Sequence, residues 1–134
     1  MKKIVLSLCM FVGIAFAGVA QEKSKVAEDF VNTIVENDVS KAYKMFSEEA
    51  KQMVTEEQVG EITEQINQQL GSPKKLHGAY ETEETEGGQT FQVVYYHVEY
   101  DAAEIDYKLV INDNNQIDGF FLVPHEVRNE EKKN

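Results

Sequence analysis

The chain changes its hydrophobic period once. From residue 24 to 71 apolar side chains recur every three or four positions, and from 76 to 123 they fall into four short strand-like runs separated by tight-turn residues. A period of 3.6 buries one stripe of a helix, and a period of two buries one face of a strand. With all helical segments before all strands, βαβ alternation is excluded, and the expected architecture is α+β: N-terminal helices packed on one four-stranded antiparallel sheet.

The helical half reads as three segments. Val26, Ala27, Phe30, Val31, Ile34 and Val35 make one apolar stripe over 24–36, with Asn37-Asp38 ending it. Asp38 caps a short second helix carrying Ala42, Tyr43 and Phe46, and 47–54 reads as a brief turn. Thr55-Glu56-Glu57-Gln58 then fits a capping box, and Val54 with Val59 fits a hydrophobic staple. The third stripe is Val59, Ile62, Ile66 and Leu70, with Gly71 and Pro73 as the stop.

The strand half can be registered on paper. A two-residue turn at Gly87-Gly88 sets Tyr80 against Tyr95, Gly78 against His97 and Thr82 against Val93. A loop over 101–104 sets Tyr100 against Ile105, Val98 against Tyr107, Tyr96 against Leu109 and Val94 against Ile111. Those eight residues share one face, which a slip of one residue would scatter. A third turn at 113–116 leads into a last strand from Ile117 to Val123, of open register.

Lys2-Lys3 followed by about 14 apolar residues and then small ones has the form of a secretory signal peptide cleaved after Ala20. The run is short of the ~20 residues a spanning helix needs, so no stable membrane anchor is expected. Cys9, the only cysteine, lies within that run, which leaves the mature part without disulfides or thiolate sites. The expected location is extracytoplasmic, in a periplasm or secreted. The domain boundaries read as a signal peptide over 1–20, one α+β domain over 21–124 and a charged tail over 125–134. The formal charge of −11 becomes −13 on cleavage, with 11 basic against 24 acidic residues. Such a chain is repelled by nucleic acid and anionic lipid.

Two sets of residues are candidates for binding. On the helix-facing side, Tyr96, Tyr100, Tyr107, Phe46 and Leu109 would line an apolar, hydroxyl-edged pocket for a small apolar ligand. On the opposite side, Tyr80, Phe91, Val93 and Tyr95 make an amphipathic face suited to a homodimer or an envelope protein partner. His97, two residues from Glu99 on that outer side, reads as a surface or interface histidine, with His77 and His125 solvated at element edges. The spacing of the three histidines matches no metal motif. The segment 113–119 lacks the glycine and terminal glutamate of a calcium loop and reads as a turn. No phosphate loop, nucleophile elbow or His-Glu-x-x-His occurs, and no cofactor is expected.

The run Ala27-Glu28-Asp29-Phe30-Val31, then Asn37-Asp38, Ala42-Tyr43, Phe46-Ser47, the Thr55 to Gly71 helix and the closing Ile117-Asp118-Gly119-Phe120-Phe121-Leu122 with Pro124 resemble the bacterial domain-of-unknown-function family 3887. The resemblance covers roughly 24–124. It implies membership of the nuclear transport factor 2-like (cystatin-like) superfamily, whose cone-shaped domains fold helices over a curved sheet. Members of family 3887 occur in front of α/β-hydrolase domains, so a chain ending at Asn134 reads as a stand-alone version. Enzymes of the superfamily use Asp or His inside the cone, where this chain puts apolar and tyrosine side chains and, at most, Asp118. The expected function is therefore a non-catalytic binding or dimerisation module. The alternatives are a small lyase or isomerase with Asp118 or His97 as base, and a purely protein-binding module.

Overall fold

The computed structural model describes residues 22–126. The expected signal peptide and cleavage site, Cys9 and most of the expected charged tail lie outside the described residues. The described helices are α1 (22–35), α2 (Val39–Lys44), α3 (Glu48–Met53) and α4 (Glu56–Leu70). The strands β1 (Pro73–Glu86), β2 (Gln89–Tyr100), β3 (Glu104–Ile111) and β4 (Ile117–Pro124) form one antiparallel sheet in the order β1-β2-β3-β4. The expected α+β class, helices first and an open antiparallel sheet after, is what the chain adopts. No helix among the described residues is long and apolar enough to cross a membrane.

Local chemistry sets each helix boundary. Asp38 accepts from Lys41 N at the start of α2. The capping box of α4 is complete, with Gln58 N donating to Thr55 Oγ1 at 3.1 Å and Thr55 N donating to Gln58 Oε1 at 2.9 Å. The segment 47–54 differs from the expected turn, because Ser47 caps a short helix by accepting from Ala50 N at 3.2 Å. Only Ala50 of α3 is buried and Met53 is 86% exposed, so α3 carries no apolar stripe for periodicity to detect.

The helices cover one face of the sheet. Ala27, Phe30, Val31 and Ile34 of α1 meet Val94, Tyr96, Val98, Tyr107, Leu109 and Ile111 in the core, with Phe46, Val59 and Ile66 filling in. Phe46 bridges to Ile117, Ser47 N donating to the Ile117 carbonyl and Ile117 N to that of Met45, both at 2.9 Å. Lys23, only 6% exposed, donates from Nζ to the Asn112 carbonyl at 2.9 Å and so fastens the start of α1 to the β3–β4 turn.

The first hairpin has the expected register, Tyr80 against Tyr95, Gly78 against His97 and Thr82 against Val93. Gly87 and Gly88 have φ of 59° and 80°, the pair of positive values that a type I′ turn requires. The second hairpin is shifted by two residues from expectation: Val98 faces Ile105, Tyr96 faces Tyr107 and Val94 faces Leu109. Tyr100 N donates to the Ala103 carbonyl, closing a turn on Asp101-Ala102. That turn is held from outside the hairpin, since Asp101 N donates to Ser72 O and Ala102 N to Leu70 O, each at 3.0 Å. A shift of two preserves side-chain parity, so the inner face keeps the expected residues.

Candidate functional site

The five residues expected to line an inner pocket are buried in the core cluster. Tyr96, Tyr100, Tyr107, Phe46 and Leu109 are all at most 5% exposed. The hydroxyls of Tyr100 and Tyr107 bond each other at 2.5 Å, and the Tyr107 ring stacks on Phe120 with centroids 5.7 Å apart. Burial raises both phenol pKa values above their ordinary value, Tyr107 further than Tyr100, and burial raises that of Tyr96 as well.

None of the described helices packs on the other face of the sheet, called the open face below. One cavity of about 610 Å³ lies there, lined by Phe91, Val93, Val110 and Phe121 together with Glu84, Glu86, Lys108 and Asp118. Two of the four expected interface residues, Phe91 and Val93, therefore line this bowl; Val93 is 2% exposed, while Phe121 is 53% exposed. Tyr80 and Tyr95 face each other next to it, half-buried. Tyr95 donates its hydroxyl to Glu84, and Glu84 also pairs with Lys108 at 3.0 Å. A second cavity of about 360 Å³ opens between α4 and the ends of β3 and β4, lined by Ile62, Ile66, Leu70, Ile105 and Pro124 among others. Neither cavity is lined by any of the five expected inner residues.

Asp118 is exposed and accepts from Asn112 Nδ2 at 3.3 Å. The ladder skips it, Val110 pairing with Gly119 and Ile111 with Ile117. It lies at the rim of the bowl, outside the buried core.

All three histidines of the chain meet on the open face, which their sequence spacing did not suggest. His97 is the middle ring of a stack, 4.2 Å from His77 and 3.5 Å from His125 between centroids, with interplanar angles of 13° and 5°. Each ring holds one carboxylate: His77 Nε2 is 3.2 Å from Glu99, His97 Nε2 2.7 Å from Glu104, and His125 Nδ1 2.9 Å from Asp106. His77 reaches this position because the β1–β2 ladder slips between Leu76 and Gly78, leaving His77 and Gly78 opposite His97. Gly78 has a φ of 134°, a conformation that favours glycine. His125, expected to be solvated in the tail, donates from its backbone N to Glu104 O at 3.3 Å and extends the β3–β4 pairing. Asp106 is only 2% exposed beneath it and also accepts from Glu126 N at 3.4 Å. The register of β4 is what locates His125, and that register was open in the sequence.

Residues 27–120 match the family model described as "Protein of unknown function (DUF3887)". Neither the comparison with curated proteins nor that with solved structures found a match. The family resemblance read from Ala27, Phe30, Tyr43, Phe46 and the Thr55 helix holds over most of the chain, and the protein belongs to this family of proteins of unknown function, DUF3887.

Proposed function

We propose that this protein is an exported, non-catalytic binding module whose working surface is the open face of its sheet. The observation that carries this reading is the 610 Å³ bowl with an apolar floor of Phe91, Val93, Val110 and Phe121, a volume in the range of small-molecule sites. Export is supported by Lys2-Lys3 and the apolar run that follows. Helices layered on one side of a four-stranded antiparallel meander support an assignment to the nuclear transport factor 2-like superfamily.

The polar rim selects the ligand. Glu84, Glu86 and Asp118 outnumber Lys108, whose charge Glu84 already neutralises. The favoured ligand has an apolar body and is neutral or cationic, since an anion would meet unbalanced carboxylates. Thermal unfolding against neutral, cationic and anionic aromatic and aliphatic compounds tests this. Saturation at 100 times Kd adds about 2.7 kcal/mol, which raises Tm by roughly 10 °C in a domain of this size. The shift should come from neutral or cationic compounds and vanish in Phe121→Asp, whose exposed position tolerates the change. A silent panel, or a shift that Phe121→Asp leaves intact, defeats the reading.

A second reading uses the same face for a homodimer. Phe121, 53% exposed and next to Phe91 and Val123 on this face, favours it, because contiguous exposed apolar side chains mark association surfaces. Sedimentation separates the two readings: a dimer that Phe121→Asp dissolves supports the second, and a monomer removes it.

A further inference from the structure

We propose that His77, His97 and Glu104 form a binding site for one divalent transition-metal ion, with zinc as the ion their donors suit. One ligand atom from each residue lies within 4.8 Å of the other two. Two imidazole nitrogens and one carboxylate oxygen make the donor set of open zinc sites, which leave a fourth position to water. Zinc–nitrogen distances of about 2.0–2.1 Å put neighbouring donors roughly 3.4 Å apart, so the 2.7 Å contact of His97 Nε2 with Glu104 must widen while the His77 nitrogen moves in, both by side-chain rotation.

The sheet sets the three ligand positions before an ion arrives, and the stacked His77 and His97 rings turn out of parallel to converge on it. His77 comes from the bulge of β1, His97 from near the end of β2 and Glu104 from the start of β3, all in one hydrogen-bonded sheet. His97 packs between two rings, and His125 behind it is itself tied to the buried Asp106 carboxylate. Such outer hydrogen bonds orient the ligands that touch a metal. The charge pattern also asks for a cation. Glu99 faces Glu104 directly across the β2–β3 ladder, and Asp106 lies on the same face opposite His97. Like charges directly opposite one another destabilise a sheet. A dication takes the place of the hydrogen that bridges His97 Nε2 and Glu104 Oε1. The site shares no residue with the bowl and does not depend on a ligand there.

The competing role is structural: three histidine–carboxylate pairs that merely stabilise the edge of the sheet. Chelator-stripped protein without a histidine tag, titrated with zinc chloride by calorimetry and followed by thermal unfolding, decides between them. The expected result is one equivalent of zinc bound with a Kd in the micromolar range or tighter, and a higher Tm. Glu104→Gln and His77→Gln should each weaken binding at least tenfold; Glu104 has a side chain 53% exposed and His77 one 31% exposed, so both variants should fold. Magnesium, which prefers an all-oxygen shell, should give no shift. Absence of zinc binding by the intact protein overturns the proposal, as does wild-type binding by both folded variants.

Discussion

Tyr100 and Tyr107 each find the other as hydroxyl partner, and neither has a route to bulk solvent, being 3% and 0% exposed. A buried hydroxyl whose partner is removed loses its bond without regaining water, at a cost of about 1–3 kcal/mol. Tyr107→Phe should therefore destabilise the protein by that amount, measured as a shift in the urea midpoint at constant slope. Tyr100→Phe on top of it should cost much less than Tyr100→Phe alone, because the orphaned hydroxyl is then gone. The pair should thus be strongly non-additive in a double-mutant cycle, and additive costs would mean that the hydroxyls are satisfied elsewhere. The same bond explains why these phenols belong to the core: their polarity is spent internally, and what remains is aromatic packing against Phe120.

At the scale of elements, what could be read from sequence follows how local the determining chemistry is. The capping box at Thr55 and the Gly87-Gly88 turn are specified by residues within four positions of one another, and both appear as expected. The β2–β3 turn carries no glycine, and its register is chosen by bonds from Asp101 and Ala102 to Ser72 and Leu70, some thirty residues earlier. Period-two reasoning tolerates that error because it tests parity alone. The histidine stack was hidden for the same reason, requiring one bulge in β1 and the exact alignment of β4, neither of which has a local signal. Gly78 is the hinge of this arrangement. Nothing lies within 4 Å of a Cβ built there, so Gly78→Ala meets backbone strain and no clash. Strain at such a φ costs about 1–3 kcal/mol. The urea midpoint should fall accordingly, and the ring resonances of His77 and His97 should move together as the bulge relaxes. An unchanged midpoint with unchanged rings would mean that alanine fits the bulge.

For the molecule as a whole, the helical layer seals one face of the sheet, and the seal makes stability depend on pH at the alkaline end. Burial raises the Tyr100 and Tyr107 pKa values in the folded state, while the unfolded chain ionises both near ~10. Below that value neither state ionises them, and their contribution to stability is fully present. Above it the unfolded chain releases protons that the folded one retains, so stability falls as pH rises, by up to ~1.4 kcal/mol per pH unit for each phenol. The carboxylates are already ionised in this window and do not reproduce the effect, although the lysines titrate near it. Tyr100→Phe/Tyr107→Phe separates the two groups, since it removes the phenols and leaves every lysine. Urea midpoints measured from pH 8 to pH 11 should decline steeply above about pH 10 in the wild type and visibly less in the double variant. Parallel declines in the two proteins would assign the alkaline limb to lysine and to the general negative charge, and would place the phenols in a more hydrated setting than the 3% and 0% exposures require.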